Sequence, residues 1–83
     1  MREVLEKAIF KFGHNMQHDG AIEEMAELTK EIVKWKRYKN NEDAIAEEIA
    51  DVEIMLEQLK IMHSNSFQVE EWKKTKLDRL KNK

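Results

Sequence analysis

At 83 residues the chain makes one small domain, near the size at which a single hydrophobic core is only marginally stable. Charged residues are 39% of it, yet 15 Lys and Arg nearly balance 17 Asp and Glu, and a net charge of −2 excludes the basic footprint of a nucleic-acid binder. With no Cys there are no disulfides. No apolar run nears the ~18 residues of a membrane span, and no signal peptide opens the chain, so a cytoplasmic domain without a membrane or nucleic-acid partner is expected.

Zero Pro, two Gly and abundant Glu, Lys, Leu, Ile, Ala and Met predict an all-α chain of four helices over residues 1–83. Helix one covers Arg2 to Phe12, with Leu5, Ala8, Ile9 and Phe12 at helical spacing and Gly13 as its stop. A short polar connector, His14 to His18, follows. Helix two starts near Asp19 as N-cap and runs to about Tyr38, its apolar arc made of Ile22, Met25, Leu28, Ile32 and Trp35. Glu24 borders that arc, with Glu27 and Glu31 along the same flank. The basic run from Lys34 to Lys39 suits a helix C-terminus, and Asn40-Asn41 reads as turn and cap.

Helix three, Asn41 to His63, carries a broad stripe of Ile45, Ile49, Val52, Met55, Leu56, Leu59 and Met62. Glu48 projects into the middle of that stripe and Asp51 lies at its edge, one turn on. A carboxylate in an apolar seam is costly unless a cation or strong donors meet it. A second, thinner line through Ala50, Ile54 and Ile61 leaves the helix apolar on two sides, which predicts a subunit contact and hence a homodimer or homotetramer. Ser64-Asn65-Ser66 ends the helix and caps the fourth, about Phe67 to Leu80, with Val69, Trp72, Lys76 and Leu80 on one face.

Glu24 and Glu27 on helix two, and Glu48 and Asp51 on helix three, stand i, i+3, which puts each pair on one helical face. The residues between the pairs suffice to finish one helix, turn, and bring the next back antiparallel. Four carboxylates converging on a small volume need a divalent metal or protonation, and an all-oxygen set suits Mg²⁺ or Mn²⁺. Glu-x-x-Glu is also common on solvated helix faces. Two such pairs on a hairpin, one of them inside an apolar stripe, are less easily dismissed.

Glu23-Glu24-Met25-Ala26-Glu27-Leu28 followed by Glu47-Glu48-Ile49-Ala50-Asp51-Val52 resembles the ExxE…ExxD signature of the MazG-like all-α nucleoside triphosphate pyrophosphohydrolases. The resemblance covers about Ile22 to Met62. The segments around Gln17 and from Lys76 to Leu80 look like those of small stand-alone, often phage-borne members. Many relatives have Leu-Gly where this chain has Ile49-Ala50, and 83 residues leave no room for the helices by which larger relatives shape their pockets. The resemblance implies an oligomeric helical bundle of the MazG-like type. It further implies cleavage of a nucleoside triphosphate between its α- and β-phosphates to monophosphate and pyrophosphate. Glu24, Glu27, Glu48 and Asp51 would hold Mg²⁺ as the catalytic, metal-binding set.

The remaining candidates are substrate contacts. Lys76, with Arg79 and Lys73 as substitutes, could reach a phosphate, although a lysine stem on an apolar face also simply packs and snorkels. Trp35 could stack on a base, although an aromatic at helical spacing more often belongs to a core. Gln17 offers the two-sided hydrogen bonding that reads a base edge, or is an ordinary turn residue. His14 and His18 have an i, i+4 spacing that can bind zinc, but no further His or Cys is close in sequence. The rival readings are a non-catalytic helical interaction module, which leaves Glu48 unexplained, and a degenerate homologue that binds nucleotide without turnover.

Overall fold

Leu5, Ala8 and Ile9 fall on one face of the first helix, and Leu5 and Ile9 supply two of the three apolar residues the chain buries. A computed structural model describes residues 1–83: helices α1 (Arg2–Phe12), α2 (His14–Tyr38), α3 (Glu42–His63) and α4 (Ser66–Lys81), with no strand. Gly13 ends α1 at φ 86°, with its N–H on the Ile9 carbonyl at 2.8 Å. A left-handed φ is the conformation glycine tolerates best. α2 then begins at once. The expected connector from His14 to His18 is therefore helical, because nothing in it breaks a helix and its backbone bonds continue, Gln17 N–H to Gly13 O at 3.1 Å. Asp19 is an exposed mid-helix residue rather than a cap.

α2 and α3 form an antiparallel hairpin that dominates the packing; α1 lies against both, and α4 touches only α3. Lys39 makes the turn in the left-handed region, its N–H on the Trp35 carbonyl at 2.9 Å. Asn41 occupies the N-cap position of α3 without a side-chain cap bond. Its amide reaches back to α2 instead, donating to the Glu31 carbonyl at 3.1 Å and to Glu31 Oε1 at 2.8 Å. Ser64, at φ 50°, closes α3 and Asn65 precedes α4, again without a side-chain cap bond.

The hairpin seam follows a 4-3 spacing. On α2 it runs through Gln17, Ala21, Glu24, Leu28, Glu31 and Trp35, with His18 and Gly20 half-buried beside it; on α3 it runs through Ala44, Glu48, Asp51, Met55, Gln58 and Met62. That is the 3.5-residue repeat of helices packed side by side. At Gly20 the missing side chain lets Met55 approach, its terminal methyl 3.1 Å from where a Cβ would sit. The seam is turned away from the most apolar stripes. Ile22, Met25 and Ile32 on α2, and Ile49 and Leu56 on α3, are exposed, contrary to their expected place in the core.

Those exposed residues share one side of the hairpin. Measured from Glu24, the α2 set lies at roughly +80 to +160°; measured from Glu48, Ile49 and Leu56 lie at roughly +80 to +100°. In an antiparallel pair, rotations of the same sense from the seam lead to the same side. α4 departs further from expectation: Val69 is half-buried, whereas Trp72, Leu77 and Leu80 are exposed.

Candidate metal centre in the α2/α3 seam

Glu24 comes to the seam from α2, and Glu48 and Asp51 come from consecutive turns of α3. One carboxylate oxygen of each lies within 4.8 Å of the others, and all three residues are half-buried. Glu48 Oε2 is shut off from solvent and has no hydrogen-bond partner. None of the chain's ion pairs involves Glu24, Glu27, Glu48 or Asp51. The cation that a purely structural role for Glu48 would need across the seam is absent.

The electrostatics follow from this placement. Burial raises the Glu24 pKa above its ordinary 4.5; the charges of Asp51 and Glu48 raise it further, as do the hydrogen bonds a protonated Glu24 makes to them. Burial also raises Glu48, followed by the charges of Asp51, Glu27 and Glu47, with a hydrogen bond from Glu24 opposing slightly. An all-oxygen set of three carboxylates with one orphaned, dehydrated oxygen fits a hard divalent cation such as Mg²⁺ or Mn²⁺.

Glu27, one turn beyond Glu24, is exposed and stands outside the close triad, although its charge reaches Glu48. Glu31, on the same side of α2, does not join the acids at all. It accepts from Asn41 and pairs with Lys34 at 3.4 Å, and the Asn41 bond, ahead of Lys34, lowers its pKa.

Gln17 is half-buried and lies two turns before Glu24 on the same face of α2, so it is a seam residue rather than a connector residue. Trp35 is half-buried at the other end of α2, with Lys39 Nζ over its ring at 4.6 Å. Lys76 and Arg79 are exposed on α4, which contacts neither α1 nor α2, so within one chain they do not converge on the triad. Lys76 Nζ instead sits 5.9 Å from the centre of the Trp72 ring.

One polar seam residue escaped sequence reasoning. Gln58 is 4% exposed and its Oε1 has no partner. It stands two turns after Asp51, and in the register that sets Gly20 against Met55 and Glu24 against Asp51 it falls opposite Gln17. That seven-residue step from Asp51 was the only signal for it. Comparison with protein-family models, with curated proteins and with solved structures finds no match to the chain.

Proposed function

We propose that the chain is a Mg²⁺-dependent nucleoside triphosphate pyrophosphohydrolase, cleaving between the α- and β-phosphates to give nucleoside monophosphate and pyrophosphate. The observation that carries this reading is Glu48 Oε2, buried and unpaired beside two further carboxylates with no cation in reach. The similarity of the Glu24–Glu27 and Glu48–Asp51 pairs to the MazG-like signature supplies the reaction.

Glu24, Glu48 and Asp51, with Glu27 as the fourth acid, would hold the ion. Bound Mg²⁺ (or Mn²⁺) supplies charge neutralisation at phosphate oxygens and makes a water more acidic. The chain's own residues do the rest by placement. The two helices hold the carboxylates close together across the seam, so the acids are already gathered when metal and substrate arrive. No covalent nucleophile is required. Gln17, on the Glu24 face, is the base-reading amide of this proposal, with Trp35 as a stacking surface. Lys76 and Arg79 contribute to phosphate binding only where a second copy brings them to the seam.

The active unit of this proposal is a homodimer, or a dimer of dimers. A folded monomer of 9.9 kDa is expected to expose about 5,200 Å²; this chain exposes 6868 Å². The excess, roughly 1,700 Å², is about twice what one partner buries in a standard interface. The radius of gyration, 15.2 Å, likewise exceeds the roughly 12 Å of a compact domain of this length. The face formed by Ile22, Met25, Ile32, Ile49 and Leu56, and not the α3 line of Ala50, Ile54 and Ile61 on the other side of the helix, is where a second copy would seat.

A helical interaction module is the second reading, favoured by that same open apolar face, but it gives Glu48 nothing to do. The deciding experiment screens the common NTPs and dNTPs with Mg²⁺ for pyrophosphate release, beside melts with and without Mg²⁺. Release of pyrophosphate and a higher melting temperature with Mg²⁺ are expected. A melting temperature unmoved by Mg²⁺ and nucleotide, with no release from any substrate, overturns the proposal.

A further inference from the structure

His18, near the start of α2, and His63, the last residue of α3, meet across the hairpin with their Nε2 atoms 2.8 Å apart. They are separated by 45 residues in sequence. The rings stand edge to face, centroids 4.9 Å apart and planes at 85°, so both nitrogens point into one small space without the rings obstructing each other. His18 Nδ1 lies 2.6 Å from the His14 carbonyl oxygen. A carbonyl only accepts, so Nδ1 carries the proton and Nε2 presents its lone pair toward His63. An imidazole anchored by a backbone carbonyl through one nitrogen, with the other free to ligate, is the usual arrangement of a metal-binding histidine.

We infer that His18 and His63 form a two-imidazole site for a late first-row divalent cation, Zn²⁺ being the probe of choice, that staples the start of α2 to the end of α3. Tetrahedral zinc bonded at about 2.05 Å holds two ligand nitrogens about 3.3 Å apart, so the pair needs to open by about 0.5 Å. His18 is only half-buried and His63 is exposed, so small side-chain rotations suffice. Without metal, His63 Nε2–H donates to His18 Nε2; on binding, that proton moves to His63 Nδ1, and both neutral rings ligate with no net proton loss. The remaining coordination positions go to water, because no carboxylate joins the pair within ligand reach.

This site differs in kind from the acidic seam. It is built of imidazole, which suits Zn²⁺, Cu²⁺ and Ni²⁺, rather than of carboxylate oxygen. His63 lies about 18 Å along α3 from Asp51. It does not depend on the proposed hydrolase activity.

The test is a calorimetric titration of the tag-free chain with ZnCl₂ in a non-coordinating buffer, with excess Mg²⁺ present to occupy the acids. One Zn²⁺ per chain is expected. Affinity should fall by about a hundredfold or more in His18→Ala and in His63→Ala, while His14→Ala and Glu48→Gln should bind as the wild type does. Circular dichroism of each variant checks that its helices persist. Should a histidine variant fail to fold, the wild type loaded with Cu²⁺ still decides the matter: its electron paramagnetic resonance should show coupling to two imidazole nitrogens. Absence of a zinc heat in the wild type, binding that survives His63→Ala, binding lost in Glu48→Gln, or copper coupled to fewer than two nitrogens each overturns the inference.

Discussion

Glu31 and Glu48 both lie half-buried in the seam of one helical hairpin, on opposite helices, and the fold surrounds them in opposite ways. At the turn end, Glu31 receives the Asn41 amide on both its backbone and side-chain oxygens and has Lys34 beside it, and its pKa falls. Nearer the middle, Glu48 receives no cation, leaves one buried oxygen unpaired, faces Glu24 and Asp51, and its pKa rises. The Glu31 region shows that this fold can satisfy a seam carboxylate from within the chain. Leaving Glu48 unsatisfied is therefore a property of that place, and it is the observation on which the proposed cation site rests.

The strongest way to break this contrast is to neutralise both residues in turn. Glu48→Gln should lower Mg²⁺-dependent turnover by roughly two orders of magnitude or more, while the metal-free protein melts at the same temperature or higher. Glu31→Gln should do the reverse: turnover at saturating Mg²⁺ is retained and the melting temperature falls. Turnover assays and paired melts read both. If Glu48→Gln melts lower than wild type without metal, the two glutamates are alike and the contrast fails.

Removing the donor instead of the acid is the next largest effect. Asn41→Ala takes both hydrogen bonds from Glu31 and loosens the tie between the turn and α2, which should lower the melting temperature by roughly 5–10 °C. The Mg²⁺-induced rise should be unaffected, since Asn41 touches none of the three clustered acids. Calorimetric melts of the variant with and without Mg²⁺ check both parts.

The two regions should also separate by pH. Glu31, with its folded pKa lowered, contributes stability that is present above its ordinary 4.5 and lost as pH falls through the folded value. Glu24 and Glu48, with theirs raised, contribute stability that is present below 4.5 and lost as pH rises through their folded values. The metal-free protein should thus lose stability on both sides of pH 4.5. Glu48→Gln flattens the high side and Asn41→Ala the low side. On the proposed reading Mg²⁺ binds the ionised acids, and it should then restore more stability as pH rises. Denaturant melts across pH 3.5 to 7 measure each limb, and a high side unchanged in Glu48→Gln would count against the burial and repulsion assigned to that residue.

How much of this was legible in the sequence follows from which signals are local. Helix α1 was readable at both ends because Gly13 stops it, and α3 because Asn41 and Ser64-Asn65 bound it. The start of α2 was misplaced because His14 to His18 looks polar, and polarity does not break a helix. The i, i+3 acid pairs were legible as a cluster of carboxylates. The seam itself was not, because hydrophobicity picks the face that most needs burial, and here that face holds Ile22, Met25 and Ile32, which stay open in the single chain. Gln58 and His63 were invisible for a related reason: one is an ordinary helix residue by composition, and the other meets its partner 45 residues away.

The smallest expected effect tests whether packing, apart from charge, sets the behaviour of the seam. Gly20 lies within α2, one turn before Glu24, where glycine costs a helix up to about 1 kcal/mol relative to alanine. An added Cβ would meet only the Met55 terminal methyl, at 3.1 Å, the far end of a flexible side chain that can shift by a few tenths of an ångström. Helix propensity should outweigh that adjustment. Gly20→Ala should then stabilise the chain by about 0.5 kcal/mol, seen as a rise of two to four degrees in melting temperature. Because Met55 stands one turn after Asp51, a rigid clash there would instead push α3 away and spread the three carboxylates. The Mg²⁺ titration distinguishes the two outcomes. A stabilised variant with unchanged Mg²⁺ affinity leaves charge as the difference between the two regions of the seam. A destabilised one whose Mg²⁺ affinity falls with it would mean that close helix approach at Gly20, more than the unpaired oxygen of Glu48, holds the acids together.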